Sequence, residues 1–129
     1  MRKKTRLVLH FMIWLSLAPL ITFAQIPNQI VEGLKSGDSK MVASHFNETI
    51  EMTILERESV CSKAQGEQIL KEFFTRNKPS DFKITHQGGE GSVYAIGQMS
   101  TSTGNFRVYF LLKPKGNTPL ISQLRIEKD

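Results

Sequence analysis

Two runs of alternating apolar and polar residues flank a short polar turn in the second half of the chain, and this pattern constrains the fold most strongly. The runs are Val93–Thr101 and Phe106–Leu112, with Ser102-Thr103-Gly104-Asn105 between them. Alternation with a period of two around a Gly-Asn turn predicts an antiparallel β-hairpin. One face of the hairpin carries no charge and is predicted to face the core: Val93, Ala95, Gly97, Met99, Phe106, Val108, Phe110 and Leu112.

The opposite face of the hairpin is predicted to carry an exposed apolar patch. A turn that pairs Thr101 with Phe106, continued through the next turn, places Ile96 beside Leu111 and Leu111 beside Ile121. An apolar patch with a polar rim often marks an interaction surface, where Tyr and Arg are enriched. The alternative is that the patch is covered within the monomer or is simply tolerated surface. The predicted interface residues are Tyr94, Ile96, Tyr109, Leu111 and Ile121, with Gln98, Arg107, Gln123 and Arg125 around them.

The first 24 residues have the pattern of an export signal. A basic segment at Arg2–Arg6 precedes the apolar run Leu7–Ile21, and Thr22-Phe23-Ala24 fits a small-x-small cleavage site. The apolar run is shorter than the roughly 20 residues that a membrane-spanning helix needs. We therefore expect residues 1–24 to be a cleaved signal peptide and residues 25–129 to be a single periplasmic or secreted domain without a membrane anchor.

The charge balance of the chain depends on this signal. The whole sequence has 17 Lys and Arg against 12 Asp and Glu, but the predicted mature domain has 13 against 12. The high isoelectric point is therefore a property of the signal and gives no support for nucleic-acid binding. Cys61 is the only cysteine, so no disulfide can form within one chain. The stability of the domain must come from its core.

Helical and strand patterns alternate through the rest of the predicted domain. Pro27 suits a helix start and Gly37 a helix end, while Ser62 and Gln65 form a capping-box pattern. The predicted helices are Pro27–Ser36, a second one that ends at Phe46, and one that begins at Ser62 and ends near Asn77. The further predicted strands are Thr49–Leu55, a short one near Val60, Asp81–Gln87 and Leu120–Glu127.

Three polar residues are candidates for a pocket on the inner side of the sheet. His86 and Ser122 are predicted to face the core, Ser122 beside Phe110, and His45 borders the apolar stripe of the second helix. Acid–base catalysis needs a suitably aimed side chain, and no inward carboxylate is apparent on the strands. With no carboxylate cluster beside the histidines, we expect neither a metal nor a cofactor. The residues favour a non-enzymatic role.

Five stretches of the chain resemble a known family. They are SKAQGEQILKEFF (62–74), KPSDFKITHQG (78–88), YAIG (94–97), FRVYFLLK (106–113) and LISQLRIEK (120–128). The chain resembles small exported bacterial proteins of unknown function that share the nuclear transport factor 2-like, or cystatin-like, fold. The resemblance covers nearly all of the predicted domain, but its motifs are structural and do not supply a mechanism.

The resemblance implies an α+β fold in which a curved antiparallel sheet wraps on N-terminal helices. Related cones commonly pair through the sheet face, and some hold a pocket that is used for catalysis. We therefore hypothesise an exported binding or assembly module that acts as a homodimer through its outer sheet face. The alternative is a protein with a small-molecule pocket, or an enzyme similar to ketosteroid isomerase, that uses His86.

Overall fold

Three helices and six strands make up the part of the chain that the structure, a computed structural model, describes, which is residues 25–129. The predicted signal peptide lies outside the described residues. Among residues 25–129 the structure contains no helix long and apolar enough to cross a membrane. The elements are α1 (Asn28–Ser36), α2 (Ser39–Ala43), β1 (Phe46–Ile54), β2 (Arg57–Ser62), α3 (Lys63–Arg76), β3 (Pro79–Gly88), β4 (Val93–Thr101), β5 (Gly104–Lys115) and β6 (Thr118–Lys128).

The helix ends follow the capping signals of the sequence. Gly37 ends α1 in the left-handed conformation at φ 73°, where a side chain would be strained. The carboxylate of Asp38 caps α2 by accepting a hydrogen bond from the backbone N–H of Met41. Both reciprocal bonds of the predicted capping box form between Ser62 and Gln65 at the start of α3. α1 and α3 agree with the predictions to within a residue at each end, whereas α2 ends at Ala43 and not at Phe46, because the chain turns there to enter β1.

All six strands form one curved sheet in the order β2-β1-β6-β5-β4-β3. Every neighbouring pair is antiparallel except β1 and β6, which run parallel. The predicted α+β class is therefore confirmed, although the sheet is mixed rather than wholly antiparallel. Because β1 joins the sheet beside the last strand of the chain, the short strand β2 becomes an edge.

The central hairpin has the predicted faces but a different register. Thr101 pairs with Gly104 and not with Phe106, so the turn consists of two residues, Ser102 and Thr103. Consequently Gly97 lies opposite Val108 and not opposite Phe110. The register differs from the predicted one by two residues, and a shift of two leaves every side chain on its predicted face. All eight residues of the predicted core face are buried.

A bulge in β6 makes the predictions for Ile121 and Ser122 wrong. The pairing shifts between Leu111, opposite Gln123, and Leu112, opposite Ile121, so Ser122 is the extra residue. Ile121 therefore faces the core and is fully buried, instead of lying on the outer patch. Ser122 is half-buried, and its hydroxyl donates a hydrogen bond to the carbonyl of Leu111, 3.4 Å away.

A second bulge, in β3, makes the predicted position of His86 wrong. Ile84 lies opposite Gly97, but His86 lies opposite Ile96, which leaves Thr85 as the extra residue. The hydroxyl of Thr85 donates to the carbonyl of Ile96 at 3.1 Å. His86 is consequently exposed on the outer face of the sheet.

Aromatic and aliphatic side chains fill the space between the sheet and the helices. The ring of Phe73 on α3 packs edge-on against Phe106 on β5, with centroids 5.1 Å apart. An open pocket in the cone would require space between four large side chains of its interior, but all four are buried in one packed cluster. They are Phe74, Phe82, Met99 and Phe110. This packing removes the main support for a ligand pocket in the cone interior.

Candidate functional site

Four apolar or aromatic residues on the two central strands form a patch on the outer face of the sheet. Tyr94 on β4 lies opposite Leu111 on β5, and Ile96 lies opposite Tyr109. Tyr94 is 38% exposed, and the other three side chains are half-buried. The helices pack on the inner face, so these side chains face solvent in a single copy. We call Tyr94, Ile96, Tyr109 and Leu111 the outer patch.

The two tyrosines of the outer patch stack on each other. Their ring centroids are 6.4 Å apart and the rings are inclined by 23°. The ring of Tyr94 also covers Gly88 on β3, where an added Cβ would lie 2.8 Å from the tyrosine hydroxyl. Because Gly88 has no side chain, the Tyr94 ring can lie against the backbone of the neighbouring strand. The stack therefore spans three strands and presents a broad aromatic surface with few rotatable bonds.

Polar side chains surround the outer patch. Gln98 and Arg107 lie opposite each other, and the side-chain amide of Gln98 donates a hydrogen bond to the carboxylate of Asp129. Arg125, next to Tyr109 on β6, forms an ion pair with Glu127 at 3.7 Å. An apolar centre with a polar rim has the composition typical of a protein interface.

Charge is unevenly distributed across the outer face. Glu51 on β1 and Glu58 on β2 lie on this face at one side of the patch, because their neighbours Met52 and Ser59 pair on the inner face. The basic residues lie on the patch side and beyond it. They are Lys83 on β3, Arg107 and Lys113 on β5, and Arg125 on β6. One side of the outer face is thus acidic, whereas the side that holds the patch carries both signs, because Asp81, Glu127 and Asp129 lie among these basic residues.

The three pocket candidates do not come together. His86 on β3 is separated by three strands from β1, which follows His45. His45 lies in the turn before β1, where its Nε2 is 3.0 Å from the side-chain oxygen of Gln29. Burial, and secondarily the charge of Lys63, lower the pKa of His45 below its usual 6.5. Within residues 25–129, no group of three or more His, Cys, Asp or Glu could hold a metal ion.

Sequence reasoning found most of the outer patch and missed the contribution of β3. Gly88 lies just beyond the predicted strand Asp81–Gln87, yet it provides the surface on which Tyr94 lies. No local signal in the sequence indicates this contribution, because it depends on the bulge at Thr85. A strand without a bulge would place His86 on the core face, whereas the observed bulge brings both His86 and Gly88 to the outer side.

Comparisons with known proteins identify relatives that have the same fold. The family model for the domain of unknown function DUF4783 matches residues 27–127. A DUF4783 family protein from Bacteroides ovatus ATCC 8483 is 34% identical, with a TM-score of 0.78 over 81% of this chain and 96% of that chain. One from Bacteroides fragilis YCH46 is 32% identical, with a TM-score of 0.79 over 81% of this chain and 100% of that chain. A search of curated proteins finds no match.

A more distant structure shows the wider fold class. An NTF2-like protein of unknown function from Cytophaga hutchinsonii ATCC 33406 is 11% identical, with a TM-score of 0.56 over 79% of this chain and 85% of that chain. At this identity the likeness shows the fold alone, which is the nuclear transport factor 2-like fold that the sequence resembles. The family model and the two Bacteroides structures show that the chain belongs to the DUF4783 family.

Proposed function

We propose that this protein is an exported binding or assembly module whose outer patch pairs with the outer patch of a second copy. The observation that carries the proposal is the stacked pair of Tyr94 and Tyr109 on an uncovered sheet face, with Ile96 and Leu111 beside it. Aromatic side chains contribute a large contact area at a low cost in conformational entropy, and they are enriched at interfaces. Single apolar residues scattered over a surface need no explanation, but four adjacent ones form a contiguous patch of the kind that marks an interaction site.

The order of the strands makes a second copy a suitable partner. A two-fold axis parallel to the strands and passing through the outer patch would place β5 of one copy over β4 of the other, and β6 over β3. Glu127 on β6 and Lys83 on β3 lie at the same level of the sheet, on either side of Arg107 and Gln98, so they would approach each other across this contact. The outer patch and its polar rim would therefore be complementary to themselves.

Replacing Leu111 by glutamate tests this proposal. Leu111 is half-buried at the centre of the outer patch, so the variant should fold but place an unpaired carboxylate in the contact. We expect self-association to weaken by about 2 kcal/mol or more, which is roughly thirtyfold in Kd. Sedimentation equilibrium of the wild type and the variant measures this change, and circular dichroism verifies that the fold is retained.

Leu55→Glu is the matched control, because it introduces the same charge at a leucine outside the outer patch. Leu55 lies in the turn between β1 and β2 and is 43% exposed. We expect this variant to self-associate like the wild type. A wild type that remains monomeric throughout the micromolar range would contradict the proposal, as would equal weakening by the two substitutions.

A further inference from the structure

A groove on the inner side of the sheet lies apart from the outer patch. It has a volume of about 1200 Å³ and lies between the second half of α3, the turn that joins β1 to β2, and the end of β6. Ligand sites commonly measure about 300–1,000 Å³, so a chain of ten or more carbon atoms fits into this space. The groove lies beside the filled cone interior. The two share the core residues Met52 and Phe73, which form part of the floor of the groove.

The floor of the groove is apolar. Met52 and Phe73 belong to the buried core, while Ile54 and Ile69 pack against the core and remain half-buried. One strand, β1, and one helix, α3, supply these residues, so the floor is a fixed part of the domain. The partial exposure of Ile54 and Ile69 leaves apolar surface that a ligand could cover.

Leu55 forms the lip of the groove in an unusual backbone conformation. Its φ is 57°, and within residues 25–129 it is the only residue other than glycine with a positive φ. Its backbone N–H is held by the carbonyl of Ile126 at 2.8 Å, which fixes this conformation. Leu55 is the first residue of the two-residue turn between Ile54 and Arg57, and hairpin turns of this length need a positive φ at that position. The turn leaves the apolar side chain of Leu55 43% exposed at the edge of the groove.

Three basic side chains from three different elements line the same groove. Arg57 on β2 pairs with Ile54 and Lys128 on β6 pairs with Phe106, so both lie on the inner face. Arg76 is the last residue of α3. Within the described residues, none of the three lies within 4.0 Å of an acidic group in an ion pair. They can therefore bind an external anion.

The acidic residues that line the groove are placed less favourably for this role. Glu58 and Glu127 are strand residues whose positions face the outer side, and Glu127 is paired with Arg125. Glu56 lies in the exposed turn. Glu72, one helical turn before Arg76, is the only acidic residue of the groove that α3 supplies. The strand residues that point into the groove and carry charge are therefore basic.

We propose that this groove binds an amphiphilic molecule that has one apolar chain and an anionic head group. The chain lies on Ile54 and Ile69 under the lip formed by Leu55. The head group is held by the guanidinium groups of Arg57 and Arg76, because arginine makes paired, charge-assisted hydrogen bonds with carboxylates and phosphates. Lys128 adds a third positive charge from the end of β6.

Titration of the isotopically labelled protein with dodecanoate, below its micelle concentration, tests this proposal by NMR. We expect saturable shifts of the amide signals of Ile54, Leu55, Ile69 and Lys128. Dodecyl phosphate should bind at the same place, and its affinity relative to dodecanoate shows which head group is preferred. Dodecyltrimethylammonium has the same chain and the opposite charge, so it should not bind in the groove.

Substitution of the basic residues completes the test. Arg57→Gln combined with Arg76→Gln should weaken dodecanoate binding about tenfold or more. Lys35→Gln combined with Lys40→Gln, on α1 and α2, is the matched control: it removes two exposed positive charges outside the groove and the outer patch, and should leave the affinity unchanged. The double arginine variant changes exposed residues only, and its amide spectrum verifies the fold. Absence of saturable shifts would overturn the proposal, as would equal binding of the cationic amphiphile or shifts confined to the outer patch.

Discussion

The close contact between β3 and β4 at Gly97 leads to a quantitative prediction. An added Cβ at Gly97 would lie 2.5 Å from two ring atoms of Phe82 and 2.6 Å from the backbone carbonyl oxygen of Lys83. The Phe82 ring is buried and the carbonyl belongs to the paired strand, so neither can move freely. Overpacking of this kind costs about 1–3 kcal/mol. For Gly97→Ala we expect a loss near 2 kcal/mol, or a fall in Tm of about 8–16 °C.

Gly91→Ala is the matched control for this prediction. Gly91 lies in the turn between β3 and β4, and an added Cβ there meets no atom within 4 Å. That substitution should be neutral or slightly stabilising, because alanine restricts the unfolded chain. Thermal unfolding followed by circular dichroism gives both values. Combining Gly97→Ala with Phe82→Leu should recover only part of the loss, since the Lys83 carbonyl remains. Equal Tm values for the two alanine variants would refute the predicted clash.

Two further predictions concern the core and the turn before β1. Phe110 is fully buried, so Phe110→Ala should lower the free energy of unfolding by about 3–5 kcal/mol, whereas Lys115→Ala should change it by about 0.5 kcal/mol or less in denaturant titrations. Because the pKa of His45 is lowered, the folded state disfavours its protonated form, and stability should fall as the pH drops below about 6.5. Urea unfolding at several pH values should show a smaller decrease for His45→Asn; identical pH profiles would contradict this assignment.

Strand faces could be predicted from the sequence because side-chain alternation is local. The prediction of the core face of the central hairpin is correct although the predicted turn is not. Thr101 pairs with a residue two positions from its predicted partner, and a shift by an even number of residues leaves each side chain on the same face. Helix ends could also be predicted from the sequence where a local capping signal exists, as at Gly37 and at the Ser62 capping box. These features depend on residues that are close together in the sequence.

The incorrect site residues lie at bulges and at a long-range pairing. One extra residue moves all side chains beyond it to the other face, which moved His86 outward and Ile121 inward. Neither Thr85 nor Ser122 belongs to a residue type that marks a bulge. The parallel pairing of β1 with β6 joins the two ends of the domain, so no turn in the sequence specifies it. The missed features therefore depend on packing across the sheet.

The two tyrosine rings provide the most direct test of whether a second copy covers the outer patch. Tyr94 and Tyr109 are the only tyrosines in the chain, so their ring signals in NMR spectra report on the patch alone. A soluble paramagnetic agent broadens the signals of rings that solvent can reach. We predict that both rings are protected from the agent at high protein concentration and become accessible on dilution. Rings that are equally broadened at every concentration would contradict pairing through the outer patch.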